Sequence, residues 1–436
     1  MKVFMLGWEF PPFISGGLGT ACYGLTKAMS EMGVEVLFVL PRPVDQSHIT
    51  HVRMLTPGGG GSRGGVEYEY ENMHGVKFRA IDAMLDPYQR PEQYKEQYEE
   101  VIRQKREALL SGGGGSEQQS ETSIDIHYRG NMWSEVHHYA MSVVKLATEE
   151  NFDVIHAHDW MTYPAGMAVA AVTGKPLVVH VHSTEFDRSG EQVNQMIYDI
   201  ERRGMHAADK IIAVSHLTRN IIIARYGVAG EKIEVVYNGV ERNGGPRHGT
   251  AQMGISSDEK IVLFLGRITM QKGPEYFLMA AKKVLEEVEN VKFVMAGSGD
   301  MMHRTIEMAA EMGIGNKVLF TGFLRGDDVE RVYQMADLYV MPSVSEPFGI
   351  APLEALNHDV PVLISKQSGV AEVLTHVLKV DFWDVNEMAN KIVAVLKYPP
   401  LQLTLREHGN FEVRRLRWKD AAEKCVLVYG DVMVHV

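Results

Sequence analysis

Short runs of β-branched and aliphatic residues alternate along most of this chain with longer stretches whose apolar positions recur every three or four residues. Consecutive apolar positions suit strands buried on both faces of a parallel sheet, and 3.6-residue spacing suits the helices that cover it. Strands are expected at Lys2–Gly7, Val34–Leu40, Val76–Ile81, Val154–His158, Leu177–His182, Ile211–Val214 and Ile233–Val236. Between them Leu18–Met32, Ser134–Glu149, Pro164–Val172, Glu191–Ala208 and Leu217–Tyr226 predict helices. After Tyr237-Asn238-Gly239-Val240 and the polar stretch Glu241–Gln252 the pattern begins again. Strands at Ile261–Leu265, Val291–Ala296, Val318–Thr321, Leu338–Met341 and Val360–Ile364 then alternate with helices to the end.

Such alternation predicts an α/β protein of two Rossmann-like, doubly wound domains with right-handed crossovers, facing each other across a cleft. A ligand is expected in that cleft, at the carboxyl ends of the strands. The boundary is read near Asn243–Gln252, giving domains over residues 1–243 and 244–412 and a last segment over 413–436. A length of 436 residues accommodates two cores of ordinary size.

Bulk chemistry narrows the function. A formal charge of −12 leaves no basic stripe to replace counterions on phosphates, which speaks against a nucleic-acid partner. The two cysteines, Cys22 and Cys425, form no disulfide framework and fit a reducing compartment. The apolar run Met1–Gly7 is cut short by Trp8-Glu9-Phe10-Pro11-Pro12, so no signal peptide is read, and no stretch is apolar for long enough to span a bilayer. The expectation is a soluble cytoplasmic protein with no membrane partner. Gly58–Ser62 and Gly112–Ser116 both read Gly-Gly-Gly-Gly-Ser, the composition of an engineered linker, and are read as replacements of two loops.

Three groups of residues could carry chemistry. Gly16, Gly17 and Gly19 lie between a strand and a helix, where missing Cβ atoms let backbone N–H groups approach an anion, although such glycines also make ordinary turns. Arg267 and Lys272 share a strand-to-helix turn bracketed by Gly266 and Gly273. A guanidinium fork and a compact ammonium together could neutralise a diphosphate without a metal ion. Glu346 precedes a helix read over Ile350–Leu356 and Glu354 lies within it. Carboxylates accept hydrogen bonds from diols, and the helix start near Gly349 and Ile350 adds amides for phosphate or sugar. A nucleoside diphosphate carrying a neutral polyol fits all three groups. His156 and His158 share one face of a strand, as do His180 and His182 on the next, a spacing that would also suit a metal. His156 and His180 are read instead as core or capping histidines and no metal is assigned. Asp159 follows at its strand's carboxyl end, where an acid facing substrate is expected.

Taken together, these strings resemble the glycogen/starch synthase type of retaining glycosyltransferase, with the GT-B fold. The resemblance spans nearly the whole chain: Trp8–Pro12 with Gly16-Gly17-Leu18, His156-Ala157-His158-Asp159-Trp160, Val181-His182, Asn238-Gly239-Val240, Gly266-Arg267 with Gln271-Lys272-Gly273, Ala296-Gly297-Ser298-Gly299-Asp300, and Pro342-Ser343 with Glu346-Pro347-Phe348-Gly349. It implies that Arg267 and Lys272 hold the donor diphosphate, that Glu354 binds the ribose, and that Glu346 contacts the donor sugar. It further implies that Asp159 and His182 face the transferred glucose, with the His182 carbonyl near the anomeric carbon, and that Gly17 approaches the diphosphate from the other domain. Gly16, Asn238, Gly297, Gly349 and Ile350 join the substrate-binding set, and the last helix, near Trp418–Tyr429, crosses back to the first domain. One departure stands out. ADP-glucose enzymes of this type carry Lys-Thr-Gly-Gly where this chain has Ile14-Ser15-Gly16-Gly17, which leaves ADP- and UDP-glucose both open as donors.

The expected activity is metal-independent transfer of glucose, with retention, to the non-reducing end of an α-1,4-glucan. The alternatives are another acceptor, of the sucrose-phosphate, trehalose or lipid-linked type, an epimerase of the same architecture, and a glucan-binding scaffold without turnover. A Rossmann dehydrogenase fits less well, because the first loop lacks Gly-x-Gly-x-x-Gly.

Overall fold

The computed structural model describes residues 1–10, 16–41, 52–55, 67–70, 76–81, 132–241 and 259–434. Both Gly-Gly-Gly-Gly-Ser segments lie outside them. Strands β1 (Lys2–Leu6), β2 (Glu35–Leu40), β3 (Val52–Leu55), β4 (Glu67–Tyr70), β5 (Val76–Ala80), β6 (Val154–His158), β7 (Leu177–Val181), β8 (Lys210–Ala213) and β9 (Ile233–Val235) form one sheet. Its order is β3-β4-β5-β2-β1-β6-β7-β8-β9. A second sheet holds β10 (Lys260–Leu265), β11 (Val291–Ala296), β12 (Val318–Gly322), β13 (Leu338–Met341), β14 (Val362–Ser365) and β15 (Leu378–Val380), in the order β12-β11-β10-β13-β14-β15.

From β5 to β9 the first sheet is parallel, and the second is parallel throughout. In each, the first strand sits centrally and the order reverses beside it, between β1 and β6 and between β10 and β13. That reversal opens a crevice at the strand carboxyl ends, the usual ligand position in doubly wound sheets. The fold is therefore two Rossmann-like domains. Central strands are buried along their whole length: every residue of β6, β7 and β13 is buried, so consecutive apolar runs were the correct signal for them.

Several expectations need amendment. β3 and β4 were not expected; β3 pairs antiparallel with β4, and β4 with β5, at the edge of an otherwise parallel sheet. Glu67-Tyr68-Glu69-Tyr70 alternates polar and aromatic residues, unlike the continuous apolar runs that mark the interior strands. β15 was likewise missed, a short edge strand of three residues. β7 ends at Val181, one residue early, because the Asp159 carboxylate takes the His182 N–H (2.7 Å). The helix expected from Glu191 begins at Gln195, where the Asn194 side chain accepts N–H bonds from Met196 and Ile197; a separate short helix, Glu185–Ser189, precedes it behind a Thr184/Asp187 capping box.

The chain returns to the first domain at its end. The helix Pro399–Val413 packs on the second domain, contributing Leu405 and Val413 to its cores. The next helix, Trp418–Val434, buries Trp418, Ala421, Ala422, Cys425, Val428, Tyr429 and Val432 in the core of the first. Trp418 enters because Gly24, on the helix Gly17–Glu31, has no Cβ to collide with its indole. No described helix is long and apolar enough to cross a membrane.

Candidate active site

Asp159 leaves β6 in the left-handed backbone region, φ +57°, which aspartate tolerates better than most residues. Its N–H donates to the His180 carbonyl (3.0 Å), and its Oδ1 accepts from the N–H groups of His182 (2.7 Å) and Ser183 (3.3 Å). The side chain thus sets the path of the backbone just past β7. Burial pushes its carboxyl up to about 7, with Arg188 and the two backbone donors pulling the other way.

Arg188 is held in turn by Glu185 (Nε to Oε2, 3.1 Å) and Glu201 (Nη2 to Oε1, 2.5 Å), and donates to the Ser183 carbonyl (3.4 Å). Glu201 also accepts from the Glu185 N–H (3.1 Å) and the Tyr226 hydroxyl. Sequence reading missed this network. Its members look like surface charges on amphipathic helices, and only the fold shows Glu185 and Glu201 to be buried.

Behind Asp159 the four histidines of β6 and the β7 end stack. His158 Nδ1 meets His182 Nε2 at 2.8 Å, and His156 Nε2 meets His180 Nδ1 at 3.2 Å, while Tyr429 of the returning helix holds His156 Nδ1 at 2.6 Å. Burial lowers all four, His158 to about 3, so they stand as neutral imidazoles. Ring nitrogens of His156, His158 and His180 lie within 4.8 Å of one another, which makes this the histidine group able to hold a metal. The rings stack at 28° (His156 on His158) and 29° (His158 on His180), and two of their nitrogens, His156 Nε2 and His180 Nδ1, already face each other at 3.2 Å. The arrangement suits a hydrogen-bonded core, as expected for His156 and His180.

On the second domain the Arg267–Lys272 turn follows β10 and includes the 3-10 turn Met270–Lys272. Lys272 Nζ donates to Glu346 Oε2 (2.5 Å), and Ser343 Oγ donates to the same oxygen (3.1 Å). Arg267 reaches Gln271 Oε1 (3.5 Å), and the buried Gln271 accepts the Val344 N–H on its carbonyl (2.9 Å), tying the β10 turn to the β13 loop. Glu354, in the helix Ala351–Asn357, accepts the Tyr333 hydroxyl (2.9 Å); burial raises its carboxyl against the pull of Tyr333 and His358. Three glycines permit the close packing. Gly273 (φ +66°) passes the Pro342 carbonyl, Gly297 (φ +142°) the Gly266 carbonyl, and Gly349 (φ +103°) the Glu346 side chain. Gln271 and Ser343 stood in the resembling strings without a role of their own, and Tyr333 was not singled out, since each looks like a spacer or a core residue until its partner is known.

The two halves meet at this site. Ser345 Oγ donates to Asp187 Oδ1 (2.6 Å), Ser215 Oγ donates to the Pro347 carbonyl (2.6 Å), and Ile350 packs against the cores of both domains. Asn238 is buried just past β9, before the chain leaves the first domain. Gly16 caps the helix Gly17–Glu31, whose Gly19 N–H is taken by the buried Glu9 (3.2 Å). Among the described residues, a Cβ at Gly17 would meet nothing within 4 Å.

A family model described as Glycosyl transferases group 1 matches residues 250–410, and one described as Glycosyltransferase Family 4 matches residues 110–243. An uncharacterized glycosyltransferase of Methanocaldococcus jannaschii is 30% identical over 390 residues, 86% of this chain and 83% of that protein. The chain belongs to the group 1 glycosyltransferases. Further relatives in that family are a D-inositol 3-phosphate glycosyltransferase of Catenulispora acidiphila (28% identical, 65% of this chain and 73% of that one) and a glycogen synthase of Mycobacterium tuberculosis (24%, 86% and 80%). Among solved structures, the sucrose-phosphate synthase of Thermosynechococcus elongatus superposes with a TM-score of 0.71 over the full length of both chains at 18% identity. The two facing Rossmann-like domains are thus the GT-B fold of group 1 transferases, and the site lies between them.

Proposed function

We propose that this transferase moves glucose, with retention, from a nucleoside diphosphate glucose to the non-reducing end of an α-1,4-glucan. The observation that carries the reading is the Lys272–Glu346 contact at the carboxyl ends of β10 and β13. Without ligand the ammonium and carboxylate satisfy each other. A diphosphate would draw Lys272 onto its oxygens beside Arg267, and Glu346 would then accept hydroxyls of the donor sugar. Glu354 keeps one oxygen on Tyr333 and has the other for the ribose diol.

Two cations on one turn meet the charge that develops on the leaving diphosphate, so a divalent ion is not required for it. Front-face transfer is part of this reading, because the leaving diphosphate held by Arg267 and Lys272 can itself receive the acceptor proton. Asp159 Oδ1 holds two backbone N–H groups and Glu346 Oε2 holds Lys272 and Ser343, so one oxygen of each carboxylate serves to order the site. The departing phosphate then takes the acceptor proton on the same face, with the His182 carbonyl beside the anomeric carbon and Asp159 on the glucose hydroxyls.

Nucleoside diphosphate release from UDP-glucose and ADP-glucose, each with and without glycogen, tests this. Glycogen-dependent release with either donor is expected. Release that depends instead on inositol phosphate or a sugar phosphate would replace the glucan by a small acceptor, the reading favoured by the inositol-phosphate relative. No release with any acceptor would remove transfer.

A further inference from the structure

We propose that Trp383, braced by Phe382 and Tyr276, forms an outer acceptor subsite that binds sugar rings of the glucan chain away from its reacting end. The proposal rests on the glucan reading above.

Trp383 is 58% exposed, whereas Trp8, Trp160 and Trp418 are each below a tenth. A bare indole forfeits the burial that normally stabilises so large a ring. Its ring is nevertheless held in position. Phe382 packs edge-on against it (centroids 4.9 Å, 84°), and Tyr276 packs edge-on against Phe382 (5.1 Å, 73°). Two successive perpendicular contacts make a fixed corner of aromatic faces.

The corner belongs to the rim of the transfer site. Trp383 lies three residues past Val380, the end of β15, and so on the carboxyl-end side of the second sheet. Tyr276 lies four residues past Lys272, in the first turn of the helix Pro274–Val284. Gln367 links the corner to Glu346: its carbonyl accepts the Glu346 N–H (2.9 Å), and its side chain donates to Asp381 Oδ1 (3.0 Å), next to Phe382. Lys366 completes a polar fringe through Asp381 Oδ2 (2.8 Å) and remains half exposed.

An exposed aromatic face with a bonded carboxylate, amide and ammonium group beginning two residues before it in the chain is the chemistry of a saccharide site. The C–H face of a pyranose lies on the electron-rich ring face, and its hydroxyls reach the polar groups at the edge. A protein or lipid partner would need a wider apolar area than a single indole among charges. A polymer acceptor also gains from a second hold, because its reacting end must leave and return at every transfer while the chain stays bound.

Affinity electrophoresis in glycogen-containing gels, with wild type, Trp383→Ala and Trp383→Phe, tests the subsite. Stacking of this kind supports a weakening of up to about tenfold in Trp383→Ala, with Trp383→Phe in between. The KM for glycogen should rise in parallel, while UDP and ADP binding measured by calorimetry stays the same. Wild-type migration that glycogen does not retard, or equal retardation of wild type and Trp383→Ala, would overturn the subsite. A larger sedimentation coefficient in wild type than in Trp383→Ala would overturn it too, by showing the indole covered by a second copy of the chain. A chain whose donor cleavage depends on glycogen but whose migration glycogen does not retard loses only the subsite; one retarded by glycogen that cleaves no donor loses only the transfer reading.

Discussion

Lowering the pH from 7 to 5.5 should destabilise the first domain through its four stacked histidines. In the unfolded chain each titrates near 6.5, whereas in the fold burial holds each lower, His158 at about 3. Between those values the unfolded chain binds more protons than the native one, so stability falls as pH falls through 6.5 and continues to fall toward 3. From pH 7 to 5.5 the four histidines together lose about 5 kcal/mol, a quarter of it each. Asp159 has the opposite sign. Its carboxyl, raised from 3.8 to about 7, is protonated more readily in the fold, which returns about 2 kcal/mol over the same interval. Glu201 and Glu354, also raised, add to that return. The net is a loss of about 3 kcal/mol at most, which for a domain of this size corresponds to a drop in Tm of about 6–12 °C. Calorimetry at both pH values on wild type and His180→Gln measures it. The variant should be less stable at pH 7 but lose less between the two pH values, since one proton-linked group is gone. A wild-type Tm that stays level or rises on acidification would refute the reasoning.

Lys272→Ala should lower kcat by about 10²–10³-fold, the usual cost of losing one donor to developing charge, while leaving Glu346 without its cation costs about 1–3 kcal/mol of stability. Steady-state rates beside a urea melt separate the two effects, and near-normal turnover would remove Lys272 from the diphosphate. Gly297→Ala and Gly17→Ala make an informative pair. The first forces a side chain at φ +142° onto the Gly266 carbonyl and should lose folded yield, whereas the second meets open space and should keep the wild-type Tm while weakening donor binding. Equal thermal stability of the two variants would contradict the packing described here.

The sequence was most informative where a residue's partner is near in the chain or where its type is forced by backbone geometry. Arg267, Lys272, Glu346 and Glu354 were legible because two short loops carry them, and the strand periodicity placed both loops at strand ends. The paired histidines were legible as a shared face. What they touch was not: Tyr429 reaches His156 across 273 residues, and no local pattern announces that. The Arg188–Glu185–Glu201 network was hidden for a related reason. Charges on helix faces are ordinarily solvated, and only the fold shows Glu185 and Glu201 to be buried. The edge strands β3, β4 and β15 fell outside a search tuned to buried parallel strands.

The contacts between the domains bear on turnover. Ser345 Oγ on Asp187, Ser215 Oγ on the Pro347 carbonyl, and the Glu372 carboxylate on the N–H groups of His216 and Leu217 all cross the cleft. The first two grip the segment that carries Glu346, and Asp187 also caps the short helix that follows His182. The loop bearing Glu346 and the strand ends bearing Asp159 and His182 are therefore held in one register, and on the proposed reading opening the cleft to release product must break these bonds. At about 1 kcal/mol each they sum to a few kcal/mol, the size of gap that leaves a minor open state accessible. Ser345→Ala removes one of these bonds and should favour the open state about fivefold. The expected signature is a larger radius of gyration in solution scattering without ligand, with a higher donor KM. Because opening is eased and the catalytic groups are untouched, kcat should be unchanged or higher. A fall in kcat with an unchanged radius of gyration would mean that Ser345 acts within the transfer site and not on its closure.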